Sequence, residues 1–382
     1  MNAGIPPRGS SVLRGGKESP LEFRPADEGD DEAIRRLLRE NPMQGGIRLS
    51  FEREPSFFLD ADMRGEARQT LVAREGAKLL AVGSCTVASC FVNGQVRRVA
   101  YLSALRLDRS HMGRADILLR GYRAFRELQR ADPPDFFFTS ISSDNDRARR
   151  FLERGLPGMP EYEFLGEYLT LLLPIPRKRR GSISRWTLSS MPPERFLPRL
   201  IDQYSRSFHF APRISESLIA AQRKLGLDNG DFLVMEEKGV VTACAALWDQ
   251  RCFKQSVVRG YSTRLRRIRP LLNLAAKFSG RPCLPPVGSV VSHASLSFAA
   301  MDPRDSQGFV ECVEALRHLA AERGLDYLSL GLAAADPRVG VLRRRSRHRE
   351  YRSRIYVVSW PEMGGSLSRL DDRLVCPELA WL

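Results

Sequence analysis

The side chains able to bind metal or do thiol chemistry are few and scattered. Seven cysteines (Cys85, Cys90, Cys244, Cys252, Cys283, Cys312 and Cys376) and five histidines lie far apart, and no CxxC pair occurs. That spacing suits neither a zinc site nor a disulfide framework, so no metal is expected, and a reducing cytoplasm is. Cationic chemistry is abundant instead. Lys and Arg total 60 against 45 Asp and Glu, a formal net charge of +15. Such a surface favours polyanions: nucleic acid, an acidic membrane or a phosphorylated cofactor. The basic runs are PIPRKRRGS (174–182), RLRRIR (264–269) and RRRSRHR (343–349). They lack interleaved aromatics on which bases stack. A solvated face is their default reading, and nucleic acid is not expected as a partner.

The elements that must position any site follow from hydropathy. A chain of 382 residues with 43% hydrophobic and 27% charged residues is long enough for two cores. No stretch is apolar and long enough to span a bilayer, and no secretory leader is recognisable, so no membrane partner is expected. After a flexible, Gly/Pro/Ser-rich N-terminus (1–20), Leu21–Ala26 predicts a strand and DEGDDEAIRRLLREN a helix, with acids first and bases last as the helix dipole prefers. QTLVARE, KLLAVGSCTVASCFV and VRRVAYLSALRLD predict three strands, the last two joined by the hairpin signal Asn93-Gly94. A loop, a helix from about Arg114 to Arg130, the strand DFFFTSIS, a helix opening at Ser143–Asn145 and the strand EYLTLLLPI complete the first half.

This order is α+β, with helices on both faces of the sheet. Over residues 21–175 the chain resembles the GNAT superfamily of N-acyltransferases. SSDNDRARRFLERGL fits the family's N-x-x-A-x-x-[FY]-x-x-x-G-[FL] helix at Asn145, Ala148, Phe151, Gly155 and Leu156. YLSALRLDRSHMGRADILLRGY stands where relatives hold the coenzyme A pyrophosphate on loop amides and a helix N-terminus. A dianion there needs free amides and small residues. Gly113 and Ala115 supply the small residues, and Arg109 and Arg114 charge. The run departs from the family's R/Q-x-x-G-x-G/A pattern, with Ser110 where Arg or Gln is expected.

What the resemblance implies is direct attack of an amine on an acyl-CoA thioester, acetyl-CoA above all, with no metal. A base or water chain takes the amine proton. A backbone N–H near Ala104–Leu107, including Leu105 and Leu107, holds the oxyanion. Asn145 lies near the pantetheine arm. The Tyr that in relatives protonates the thiolate is here Leu152, and the replacement candidates are Tyr101 and Tyr162, or Tyr168. A packed aromatic with a satisfied hydroxyl is the competing reading for each. Glu52 and Glu54 in SFEREPSFF stand where relatives place acceptor-facing residues. The competing reading there is a solvated turn.

A basic connector (176–184) leads to a second half (185–362) in which the element order recurs, followed by a C-terminal tail (363–382). The expected architecture is two GNAT-like domains, each a mixed, mostly antiparallel central sheet flanked by helices. In the second copy AAMDPRDSQGFVE stands at the phosphate loop, and Asp302, Asp305 and Glu311 would repel a pyrophosphate. That copy is expected to brace the first, shape the acceptor groove or dimerise. The expected function is N-acyl transfer to an unidentified small-molecule or protein amine. Alternatives are a coenzyme-A-binding regulator without turnover and a polyanion- or RNA-binding protein.

Overall fold

The computed structural model of the chain describes residues 20–64, 66–175, 185–360, 362–363 and 365–382. The N-terminal segment expected to be flexible, up to residue 19, and the expected basic connector at 176–184 lie outside the described residues. The first half runs β1 (Leu21–Pro25), α1 (Asp31–Glu40), β2 (Ile47–Glu52), β3 (Ala67–Glu75), β4 (Lys78–Val92), β5 (Gln95–Leu107), α2 (Ala115–Gln129), β6 (Phe136–Ser142), α3 (Asp146–Leu152) and β7 (Glu161–Pro174). The second runs β8 (Thr187–Leu188), α4 (Leu197–Tyr204), α5 (Glu216–Arg223), β9 (Phe232–Glu237), β10 (Val240–Trp248), β11 (Gln255–Tyr261), α6 (Thr263–Phe278), β12 (His293–Ala300), α7 (Ser306–Glu322), β13 (Tyr327–Ala333), α8 (Pro337–Arg345) and β14 (Arg349–Ser359).

The expected elements form for the expected reasons. In α1, Asp31 and Glu32 open the helix, Arg39 closes it, and Ile34, Leu37 and Leu38 bury one stripe. The β3–β4 and β9–β10 hairpins turn at Gly76 and at Lys238-Gly239, all with φ between 51° and 76°. Asn93-Gly94 turns β4 into β5 with φ of 51° and 74°, the left-handed pair that a tight hairpin needs.

The mixed, mostly antiparallel character is as expected: among the strand pairs of the described residues, β5–β6 and β12–β13 are the parallel ones. Each half contributes six strands, and all twelve form one sheet in the order β1-β3-β4-β5-β6-β14-β7-β13-β12-β10-β9-β8. The joint lies where the halves exchange their closing strands. β14 inserts between β6 and β7, and β7 bonds only β14 and β13. Ile355, Tyr356, Val357 and Val358 of β14 are wholly buried there. The largest core cluster likewise spans both halves, with Phe91 and Phe138 against Phe210, Trp248 and Phe298. Separating the halves would break backbone ladders and strip that core together.

The copies differ most at 249–292. Where the first half has the two-residue Asn93-Gly94 turn, the second inserts β11 and α6 between β10 and β12. β11 pairs antiparallel with β2, from Gln255↔Glu52 to Tyr261↔Ile47, as a separate two-stranded ribbon. This ribbon ties the second half to the segment between α1 and β3 of the first.

Candidate active site

Two neighbouring parallel strands separate part-way along. β5 and β6 pair from Val99↔Phe136 to Leu102↔Thr139, and there the ladder stops although both strands continue. The Thr139 hydroxyl donates to the Leu102 carbonyl at 2.8 Å and closes the base of the wedge. On its other edge β5 is bulged. Val82 pairs with Arg106 but Ser84 with Ser103, and Ala104 has φ of 54°. A non-glycine residue held in the left-handed region is strained, and such strain concentrates at functional sites. The bulge takes Ala104 and Leu105 out of the β4 ladder, so their peptide groups are where a reacting oxyanion would find donors. Leu105 is exposed here, and Leu107 half-buried.

β5 runs into the loop Asp108–Arg114 and then α2. No side chain of the N-cap residue closes the start of α2, although backbone carbonyls already accept from its first amides: Arg114 donates to His111 at 3.1 Å, Ala115 to Gly113 at 2.9 Å and Ile117 to Arg114 at 3.2 Å. Gly113 has φ of 122°, and the nearest group to an added Cβ would be the Arg147 guanidinium at 3.6 Å. Arg109 is exposed, and Ala115 forms the first turn of α2. Arg114 forks onto Asp116 at 2.7 and 2.8 Å, so its charge is largely compensated. Arg147, which sequence reasoning passed over, supplies a further cation beside Gly113 and Met112. Arg109, Arg147 and the open space at Gly113 are what this loop offers a pyrophosphate, against the Asp116 carboxylate in the first turn of α2.

α3 starts at Asn145, whose Oδ1 accepts from the Ala148 amide at 3.2 Å. The residue is exposed, and helix capping is its visible task. Leu152 is buried against Ile141, Met159 and Tyr356. Tyr162 shares a hydroxyl hydrogen bond with Tyr122, and its pKa is driven well above the usual value by burial and by that partner. Its place in the core matches the packed-aromatic reading. Tyr168 is 1% exposed and donates to the Pro377 carbonyl at 2.9 Å, so it too is a packing residue. Tyr101 differs. It is half-buried on β5 one residue before the wedge, stacked on Phe138 at 4.9 Å. Burial raises its pKa, while Arg64, Arg106 and Arg53 pull the other way.

Glu52 needs correction. It does not lie on a solvated turn but on β2, 4% exposed. Ser50 and Arg259 bond its carboxylate, and Arg39 lies 3.3 Å away. Burial works to raise its pKa, yet these partners outweigh it and hold the group below the ordinary carboxylate range. The alternation that places Glu52 inward is weak in SFEREPSFF, and its pairing partner β11 lies 200 residues away, so no local signal reports it. Glu54 is half-buried and bonds Arg35 and Arg39. A cleft of about 490 Å³ opens beside this ribbon, lined by Glu52, Glu54, Arg251, Gln255 and Arg259 among others.

Between the ribbon and Tyr101 lies a charge cluster that sequence reasoning missed. Asp60, 1% exposed, meets Arg64 at 3.1 Å, Arg53 at 3.7 Å, and Arg68. Burial works to raise the Asp60 pKa, but Arg64, Arg53 and Arg68 hold it far below the carboxylate range. Burial and the like charges of Arg64 and Arg68 bring Arg53 down to about 10. Arg53 Nη1 and Arg64 Nε are buried without a hydrogen-bond partner among the described residues. Lys254 Nζ donates to the Leu382 and Ala380 carbonyls at 2.7 and 3.1 Å, and burial, reinforced by Arg53 and Arg64, pushes its pKa well below a normal lysine. Asp60 thus faces three guanidiniums, while Lys254 beside them is within reach of both Asp60 and Glu378. Surplus cations in an enclosed place are costly unless an anion joins them.

No protein-family model matches the sequence, and no curated protein is similar to it in sequence. Solved structures do match. N-myristoyltransferase from Saccharomyces cerevisiae, in a crystal structure with bound myristoyl-CoA, superposes with a TM-score of 0.60 at 12% identity, covering 94% of this chain and 91% of that one. A second structure of that enzyme with myristoyl-CoA gives 0.59 at 12% identity over 96% and 86% of the two chains. This chain has a GNAT-type fold.

Within that GNAT-type fold the second half repeats the wedge and then closes it. β12 and β13 pair only from His293↔Tyr327 to Ser295↔Ser329, and a bulge on the β10 side leaves Phe298 with φ of 52°. These are the counterparts of the β5–β6 wedge and of Ala104. Here, however, the Phe298 amide donates to Glu378 Oε2 at 3.0 Å, and the Trp381 ring meets the Phe298 ring at 6.4 Å. At the counterpart of the α2 N-terminus, Asp305 caps α7 by accepting from the Gly308 amide at 2.8 Å. Own side chains satisfy both anion-binding features. No cluster of metal-ligating residues occurs among the described residues.

Proposed function

We propose that this protein is an acyl-CoA-dependent N-acyltransferase with one working site, in the first half. The contrast between the two wedges carries the reading. The β5–β6 wedge ends in a strained bulge and a helix start that no N-cap side chain closes, whereas the same features of the second half are occupied by Glu378 and Asp305. The acyl-CoA lies with its pyrophosphate on Gly113, Ala115 and the start of α2, and its thioester in the wedge near Ala104 and Leu105. The amide groups there stabilise the tetrahedral oxyanion, and Tyr101, at the closed base of the wedge, is the candidate to protonate the thiolate. The acceptor enters from the side of the β2–β11 ribbon. An amine that also carries a carboxylate fits the cation surplus around Asp60.

The acyl group is the open variable. Acetyl-CoA is the simplest donor, and the similar yeast enzyme structures hold myristoyl-CoA. Purified protein would be incubated with acyl-CoAs of graded chain length and with amino acids or their decarboxylated amines, and free thiol followed. Thiol release that needs both an acyl-CoA and an amine, and falls when the carboxylate is removed, supports the proposal. Acyl-CoAs that neither raise the melting temperature nor turn over would end it. One observation favours a second reading: Leu152, buried where relatives carry the acid Tyr. A coenzyme-A-binding regulator would show stabilisation by acyl-CoA without turnover of any amine.

A further inference from the structure

A helix packed on a soluble core turns its apolar stripe inward and its polar face to water. α6 does the reverse. Its inward stripe is Leu265, Arg269, Asn273 and Ala276, the partly covered positions. Arg269 and Asn273 bond the Leu284 carbonyl at 3.2 Å, Asn273 accepts from the Leu284 amide at 2.7 Å, and Arg269 lies over the Tyr261 ring. Opposite them, at i, i+3 and i+7, Leu271 is 70% exposed, Leu274 53% and Phe278 86%, with Ile268 and Leu272 along the border. No residue of this 16-residue helix is fully buried. The whole element lies in the insertion between β10 and β12, which the first half does without.

Charge decides what covers this face. Residues 263–281 carry five Arg and one Lys and no carboxylate. Arg264 and Arg267 project on the same side as Leu271 and Leu274, and Arg266 and Lys277 flank them. A second copy seated on this face by a twofold axis would set these arginines against their own images. An anionic lipid surface satisfies both features at once: acyl chains receive Leu271, Leu274 and Phe278, and headgroup phosphates receive the arginines. We propose that α6 docks the protein on the surface of an anionic phospholipid membrane, lying in the interface. None of the described helices is long and apolar enough to cross a bilayer. This departs from the expectation of no membrane partner, which hydropathy along the chain supports and the inverted orientation of α6 overrides. It does not depend on the acyltransferase reading.

The test is flotation of the full chain with vesicles of phosphatidylcholine alone or mixed with phosphatidylglycerol. The wild type should float with the mixed vesicles only, and less as salt rises. Leu271→Glu with Phe278→Glu should lower partitioning about tenfold or more at a nearly unchanged melting temperature, because these side chains are mostly exposed in the folded chain. Arg264→Glu with Arg267→Glu should remove the preference for the anionic lipid. Should the acidic variants fail to fold, Leu274→Trp gives an independent reading: its fluorescence should shift blue on the mixed vesicles. Absence of that shift, or equal flotation of wild type and variants, overturns the proposal. So do a dimer that the Leu271 variant dissociates, and RNA binding without vesicle binding.

Discussion

Phe298 and Ala104 adopt the same left-handed backbone at corresponding bulges, with φ of 52° and 54°, but the Phe298 amide already donates to Glu378, at 3.0 Å. One wedge is therefore closed by the chain's own Glu378; in the function proposed above, the other is the one that receives a ligand. The two halves share this bulge geometry, and a residue of the C-terminal segment fills only the second.

Removing that plug should weaken the fold. Glu378→Ala leaves the Phe298 and Ala380 amides without their acceptor, which costs about 1–3 kcal/mol when such a donor stays buried. Glu378→Gln keeps an acceptor oxygen and should cost less. Burial raises the Glu378 pKa in the folded protein. The stabilisation from holding the neutral acid is thus complete below the unfolded pKa and fades as pH rises through the folded one. Glutamine is neutral throughout, so raising pH should favour the Gln variant relative to wild type. Urea melts of the three proteins across the acid range measure this, and three superimposable profiles would refute it.

Asp60 works with the opposite sign. Its folded pKa is held below the unfolded value by Arg64, Arg53 and Arg68 against the effect of burial. Its contribution is therefore present above the unfolded carboxylate pKa and is lost as pH falls through the folded one. Asp60→Asn strands three buried guanidiniums and should cost about 3–5 kcal/mol at neutral pH. The gap to wild type should narrow in acid. Chemical denaturation at neutral and acid pH is the measurement, and a gap that stays constant down to low pH would show that the carboxylate is not ionised in the fold.

The joint between the halves has its own single-atom dependence. A Cβ on Gly331 of β13 would run into the Tyr168 hydroxyl and ring of β7. Tyr168 cannot retreat, being 1% exposed and bonded to the Pro377 carbonyl at 2.9 Å. Gly331→Ala should destabilise by about 1–3 kcal/mol. Tyr168→Phe removes the closest atom, so the double variant should be more stable than the sum of the two losses. Strictly additive losses in denaturation would mean that the two residues do not meet.

Most of the strands and helices could be read from the sequence because their signals are local. Asn93-Gly94, Lys238-Gly239 and the acidic start of α1 fix turns and caps within a few residues. What escaped depends on partners far along the chain. Nothing within RSRIYVVSW says that it pairs with β6 and β7, and nothing near Glu52 announces Arg259. In the Asp60 cluster Arg53, Arg64 and Arg68 are close in the chain but have no helical or strand spacing that announces them, and Lys254 comes from the other half. RLRRIR is an exposed face as its polarity implies, and the exposure of Leu271, Leu274 and Phe278 behind it is what no charge pattern announces. At the candidate site, the loop around Gly113 and the cap at Asn145 were visible as motifs. The plugging of the second wedge was partly visible, in the acids of AAMDPRDSQGFVE, but Glu378 acts from a segment with no motif at all.

The first-half loop offers the most direct test of acyl-CoA binding. Arg109 is exposed, so Arg109→Glu should change stability by no more than about 0.5 kcal/mol. If the pyrophosphate lies on Gly113 and the start of α2, reversing this charge should weaken acyl-CoA about tenfold by repelling the phosphates. A ligand at a hundredfold excess over its Kd stabilises by about 2.7 kcal/mol, and a tenfold weaker one at the same concentration by about 1.4 kcal/mol. The acyl-CoA-induced rise in melting temperature should therefore roughly halve. Arg304→Glu, at the corresponding loop of the second half and also exposed, should leave the rise intact, since Asp305 already caps that helix. Equal losses from both variants would point to a general charge effect, and no loss from Arg109→Glu would move the pyrophosphate away from this loop.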